Sequence, residues 1–156
     1  MLELKLDDAV MTQRLGKSLG QLLPINTVLL LDGELGAGKT TLVQGIGLGL
    51  GITEPIVSPT FAIAQEYFEG RIPLYHIDLY RLTPAEISEL YLENYWEAIE
   101  VPPGVTVIEW ACLLPYLPAS YLAISLKVIP SGGRLITIEP AGDFSELDLS
   151  NLDCSN

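Results

Sequence analysis

The stretch Thr27-Val28-Leu29-Leu30-Leu31-Asp32-Gly33-Glu34-Leu35-Gly36-Ala37-Gly38-Lys39-Thr40-Thr41-Leu42 carries the reading of the fold. Its centre, Gly33 to Thr40, satisfies every required position of the phosphate-binding pattern G-x-x-x-x-G-K-[ST]. The apolar run in front of it, Thr27 to Asp32, reads as a buried strand, and Lys39 to Gln44 behind it opens a helical pattern. Strand, glycine-rich turn and helix are the context in which that pattern has a mechanism. The glycines let successive backbone N–H groups turn inward around phosphate oxygens. The helix start adds its positive dipole end to the same anion. In such a loop the lysine, here Lys39, reaches the β- and γ-phosphates, and the hydroxyl that follows, Thr40, ligates Mg²⁺. The loop therefore predicts a nucleoside-triphosphate site.

Working outward, Leu2-Glu3-Leu4-Lys5-Leu6 alternates with period two, as a half-exposed strand does. Asp7 or Asp8 then caps a predicted helix to about Leu23, with Val10, Met11, Leu15, Leu19 and Leu22 at roughly helical spacing. The helix after the loop runs into Gly45 to Gly51, which predicts close packing and a frayed end. Thr53 to Pro59 shows no periodicity. Phe61 to Phe68 and Ile72 to Leu79 read as two strands joined at Glu69-Gly70-Arg71, a hairpin that makes the sheet mixed. Thr83-Pro84-Ala85-Glu86 is a helix start with cap, first-turn proline and third-position glutamate. That helix is expected to carry Ile87, Leu90 and Tyr91 to a turn near Asn94. Val105 to Trp110 is another buried strand, and Tyr121 to Ile129 and Arg134 to Glu139 are two more. The expected architecture is α/β, a P-loop NTPase-like three-layer fold whose mixed central sheet includes an inserted β-hairpin. Residues 1–140 read as one domain, and residues 141–156 as an acidic, flexible tail.

The chain has 156 residues and a formal net charge of −12, from 20 acidic residues against eight Lys and Arg. Nucleic-acid backbones are held through Lys and Arg, so this balance argues against direct DNA or RNA binding. No apolar run is long enough to span a membrane, and no signal-peptide pattern opens the chain. The reading is cytoplasmic. Cys112 and Cys154, the only cysteines, show no metal-ligand spacing and are expected to stay reduced.

Phosphate-loop enzymes take a carboxylate from a buried strand end to order the Mg²⁺ shell or the attacking water. Two strands offer one: Val105-Thr106-Val107-Ile108-Glu109 and Leu74-Tyr75-His76-Ile77-Asp78. Thr60, in Ser58-Pro59-Thr60, is a candidate switch-loop hydroxyl. The lone His76 reads as a packed, hydrogen-bonded residue. Trp96 and Trp110 read as core or partner surface, and Arg81 as charge for the site or a surface ion pair. There is no Asn-Lys-x-Asp segment to read guanine, and Asp78 lacks a glycine two residues later. A regulatory GTPase is thereby disfavoured. The scarcity of Arg and Lys outside the loop disfavours a small-molecule kinase, while a nucleotide-dependent interaction module is a third possibility. A compact ATPase fits these residues better than either.

In order along the chain, four blocks resemble the TsaE (YjeE) family of bacterial tRNA threonylcarbamoyladenosine synthesis. They are Gly33 to Leu42, Ser58-Pro59-Thr60-Phe61, Tyr75-His76-Ile77-Asp78-Leu79-Tyr80-Arg81-Leu82 and Ile108-Glu109-Trp110. The resemblance implies a Mg²⁺-dependent ATPase subunit. Gly36, Ala37, Gly38, Lys39, Thr40 and Thr41 would wrap the ATP phosphates, beginning from Gly33. Thr40 and Glu109 would hold Mg²⁺, Asp78 would be the second functional carboxylate and Thr60 the switch residue. Thr12 resembles a family position near the nucleotide, and Arg134 a basic one in the late strand. The implied partners are the TsaD and TsaB proteins, with tRNA reached only through their complex. The chain departs from the family pattern in having Ala111-Cys112 after the Glu-Trp pair and Gln44 where many members have Arg.

Overall fold

The computed structural model describes residues 1–59 and 61–154. Every run with strand character enters one sheet. The elements in chain order are β1 (Leu2–Leu6), α1 (Ala9–Leu22), β2 (Thr27–Gly33), α2 (Lys39–Leu50), β3 (Ala64–Tyr67) and β4 (Leu74–Asp78). They continue with α3 (Pro84–Ser88), α4 (Glu93–Trp96), β5 (Val105–Glu109), β6 (Tyr121–Val128) and β7 (Arg134–Ala141). The strands lie in the order β1-β7-β6-β2-β5-β4-β3. Strands β6, β2, β5 and β4 run parallel. On one side β7 pairs antiparallel with β6 and β1 antiparallel with β7, and on the other β3 closes the sheet as the antiparallel partner of β4 in the expected hairpin.

Alternation along the strands sorts the core into two layers. Leu29, Leu31, Leu74, Val105 and Val107 pack with Leu15, Leu19, Leu42, Val43 and Ile46 of α1 and α2. Val28, Leu30, Ile77 and Ile108 point to the other face, where Ile87 and Leu92 meet them. Because both faces are covered, β4 and β5 are buried along their whole length. This is the three-layer, mixed α/β arrangement read from the sequence.

Helix α1 starts where Asp8 caps it, its carboxylate accepting from the Met11 N–H at 2.8 Å. At its other end Arg71, from the β3–β4 turn, donates to the carbonyls of Gly20 at 2.8 Å and Leu23 at 2.5 Å. The two long helices touch through glycine. A Cβ on Gly16 would lie 2.3 Å from the Leu42 carbonyl oxygen, and one on Gly45 would lie 2.1 Å from that of Gln13. The close packing expected of Gly45 to Gly51 is thus found, but the fraying is not. Helix α2 continues to Leu50 and is closed by Gly51 at φ 88°. Packing against α1 outweighs the low helix propensity of its glycines.

Two other boundaries differ from the reading. The helix begun by the Thr83 capping box ends at Ser88, and α4, which contains Asn94, is a separate turn. Tyr91, at φ 50°, breaks the pair. Strand β3 begins only at Ala64, after Ile63 at φ 65°. The stretch read as a tail forms a short 3₁₀ helix over Gly142–Glu146. Phe144, Leu147, Leu149 and Leu152 beyond β7 rest half-buried on the core. The Asp153 N–H donates to the Ser18 hydroxyl of α1 at 3.0 Å. No helix among the described residues is long and apolar enough to cross a membrane.

Candidate functional site

Parallel strands end at one edge of the sheet, where α/β folds place their ligands. Registers decide who meets there: Glu109 pairs with Leu31 of β2 on one side and with Asp78 of β4 on the other. The phosphate-loop segment leaves β2 at the same edge. Together these segments enclose a cleft of about 380 Å³, lined by Leu35, Gly36, Lys39, Thr40, Ser58, Asp78, Tyr80, Arg81, Glu109 and Trp110.

Lys39 sits at the centre and is buried. Its ammonium donates to the carbonyl oxygens of Gly33 at 2.5 Å and Glu34 at 3.0 Å. It also lies 4.3 Å from the centre of the Trp110 ring, an attraction of about 1 kcal/mol. Burial holds its pKa below the usual lysine value, outweighing the opposing pull of Glu109, Asp78 and Asp32. Beside it the Thr40 hydroxyl donates to Glu109 Oε1 at 3.3 Å. The other oxygen, Oε2, lies 2.5 Å from His76 Nε2. Asp78 accepts from the Ser58 hydroxyl through Oδ2 and from the Tyr80 N–H through Oδ1, both at 2.9 Å.

Asp32, at the end of β2, accepts the Cys112 N–H at 2.9 Å. That bond secures the turn in which Trp110 adopts φ 59° before the 3₁₀ helix Ala111–Leu113. Trp110 packs on Tyr80, with ring centres 4.8 Å apart. A non-glycine residue in the left-handed region is strained, and here the strained residue is the one that covers the lysine.

The structure brings Lys39, Thr40, Asp78 and Glu109 together around one cleft, with Gly36 on its wall. Gly33 supplies a carbonyl to Lys39, Gly38 opens α2 at φ 107°, and Thr41 lies half-buried in its first turn. Arg134 comes from β7 to donate to the Ala37 carbonyl at 2.6 Å, so it braces the loop from behind. A Cβ on Gly38 would lie 2.8 Å from its Nε. Thr12 is not brought to the cleft. It is fully buried in α1 and its hydroxyl turns back to the Asp8 carbonyl at 3.2 Å, a bond that threonines in helices commonly make. Thr60 lies outside the described residues.

His76, read as a packed, hydrogen-bonded residue, is that, and its partner is the site carboxylate Glu109. The sequence gives no site role to Ser58, which reads as part of a turn, or to Trp110, which reads as core or partner surface, although Trp110 directly follows a strand-end carboxylate.

The sheet order, the hairpin and the glycine loop define a P-loop NTPase-like protein. A solved structure with the same architecture is that of Bacillus subtilis YdiB: TM-score 0.80 and 35% identity, covering 93% of this chain and 88% of YdiB. The sequence profile of the family described as "Threonylcarbamoyl adenosine biosynthesis protein TsaE" matches residues 6–135. A Nostoc protein described as a tRNA threonylcarbamoyladenosine biosynthesis protein TsaE is 54% identical over 90% of this chain and 86% of its own length. Proteins of the same description from Synechocystis and Bacillus subtilis are 54% and 43% identical, over 76% and 77% of this chain and 75% and 73% of their own. The chain belongs to the TsaE family.

Proposed function

We propose that this protein is the Mg²⁺-dependent ATPase subunit of the bacterial tRNA threonylcarbamoyladenosine machinery, working in the cytoplasm to support turnover by the TsaB–TsaD complex. The observation that carries the reading is the pairing of the Thr40 hydroxyl with Glu109 Oε1 at the first turn of the helix that follows the glycine loop. The donors are all oxygens, the chemistry Mg²⁺ takes, and so few protein ligands suit an ion that keeps waters and phosphate oxygens around itself. Thr40 and Glu109 would hold it, and when bound it would neutralise charge on the β- and γ-phosphates. Lys39 supplies the countercharge on the protein side, and the backbone N–H groups of residues 36–41 supply fixed donors at the helix start. Asp78, in register with Glu109, is suited to orient the attacking water. The net charge of −12 leaves tRNA binding to the partners.

The test is phosphate release from ATP by the purified protein, alone and with the TsaB and TsaD proteins of its own organism. Slow release alone that rises sharply with the pair is the expected result. In Glu109→Ala, nucleotide binding should persist while release falls at least ~100-fold. ATP consumption without free phosphate would favour a kinase. Partner binding strengthened by ATP and indifferent to Glu109→Ala would favour a non-hydrolysing module.

A further inference from the structure

His76 occupies the middle of β4, on the same face as Leu74 and Asp78, because strand neighbours two apart share a face. The equivalent face of β5 carries Val105, Val107 and Glu109. This is the layer between the sheet and α1 and α2, where Leu74, Val105 and Val107 belong to the apolar core. An imidazole there is fully buried, and its Nδ1 meets no hydrogen-bond partner among the described residues. Such a group is costly to bury. A leucine at that position would continue the pattern of its neighbours without that cost, so something must favour the histidine.

What it does is visible at its other nitrogen. A carboxylate only accepts, so Nε2 carries the hydrogen in the 2.5 Å contact with Glu109 Oε2. The terminal torsion of a glutamate is broad and weakly restrained. One strong bond at Oε2 selects a single orientation, and in that orientation Oε1 lies against the Thr40 hydroxyl. Carboxylates that ligate metals are commonly fixed by an outer hydrogen bond of this sort, and its loss weakens metal affinity.

We infer that His76 is a positioning residue: it holds Glu109 Oε2 so that Oε1 stays beside Thr40, where the nucleotide-linked cation is bound. This inference rests on the ATPase reading, and it makes a residue of β4 part of the cation site without touching the cation. His76 is not assigned a share in proton transfer.

The experiment measures Mn²⁺ binding in the presence of ADP by electron paramagnetic resonance on the full chain, with metal-free ADP affinity and thermal stability alongside. His76→Leu removes the donor, and His76→Gln keeps an N–H of similar reach. His76→Leu should weaken Mn²⁺ binding about tenfold while leaving metal-free ADP affinity unchanged. His76→Gln should restore most of the loss. If His76→Leu fails to fold, His76→Asn, whose amide is too short, takes its place against His76→Gln with the same expectation. Equal Mn²⁺ affinity in the unaltered protein and the donor-less variant would overturn the inference and leave the ATPase reading standing, as would a loss that His76→Gln does not restore. Absence of ADP-linked Mn²⁺ binding in the unaltered protein would overturn both.

Discussion

The helical face of the sheet and the edge where the carboxylates gather are held by different means. At Gly16 and Gly45 the helices α1 and α2 meet backbone to backbone, because a Cβ at either position would run into main-chain atoms of the other helix. At the edge, side chains from separate segments are tied by directed bonds: Thr40 and His76 to Glu109, Ser58 to Asp78, Lys39 to the loop carbonyls. Close packing tolerates no added atom but is indifferent to charge. The polar edge has room for a ligand and depends on charge and donor direction. The first region keeps the helix start in place, and the second presents reactive groups to it.

The sharpest way to separate them is Lys39→Ala. The cleft would lose its central cation, so nucleotide affinity measured calorimetrically should fall by about two orders of magnitude. The melting temperature should change little, since the helices do not rely on that ammonium. A large loss of stability would break the comparison by making the edge structural.

Gly45→Ala tests the opposite side. The added methyl would meet the Gln13 carbonyl oxygen, and α1 would have to move off α2. Overpacking of this kind costs about 1–3 kcal/mol, read as a lower denaturation midpoint in urea. Nucleotide affinity should weaken far less than in Lys39→Ala, because the loop itself is unaltered. An unchanged midpoint would mean that the helices separate without cost.

The smallest effect is expected at Tyr116, on the face bearing α3 and α4. Its hydroxyl donates to Glu93 at 2.6 Å. Burial, and then the bond to Glu93, push its pKa up to about 12. A tyrosine raised in the folded state favours folding fully below its unfolded value near 10, and that support is lost as pH rises toward 12. Melting temperature should therefore fall between pH 10 and 12 in the unaltered protein, and less so in Tyr116→Phe. Ultraviolet titration of the tyrosinate checks the assignment.

How much could be read from residues alone follows from distance along the chain. The glycine loop, the Asp8 and Thr83 caps and the hairpin are each specified by residues close together in the chain, so local chemistry announces them. Strand-end carboxylates are nearly as local, since an apolar β-branched run that stops at an acid shows itself. Thr12, expected near the nucleotide from the resemblance alone, is buried in α1 and does not line the cleft, and no local pattern tells which face of α1 is buried. Composition averages over the apolar residues spaced through the acidic segment after Ala141, so it does not reveal their contacts with the core.

The phosphate loop, the α/β layering and the two acids were thus contained in the order of residues. Their assembly was not. That Glu109 stands between Leu31 and Asp78, that His76 reaches it diagonally, and that Asp32 anchors the turn carrying Trp110 all follow from the adjacency of β2, β5 and β4. These strands lie tens of residues apart in the chain, and strand order and register arise from burying both faces of the sheet at once. Only the folded chain brings a residue of β4 to orient a carboxylate of β5 toward a hydroxyl at the start of α2.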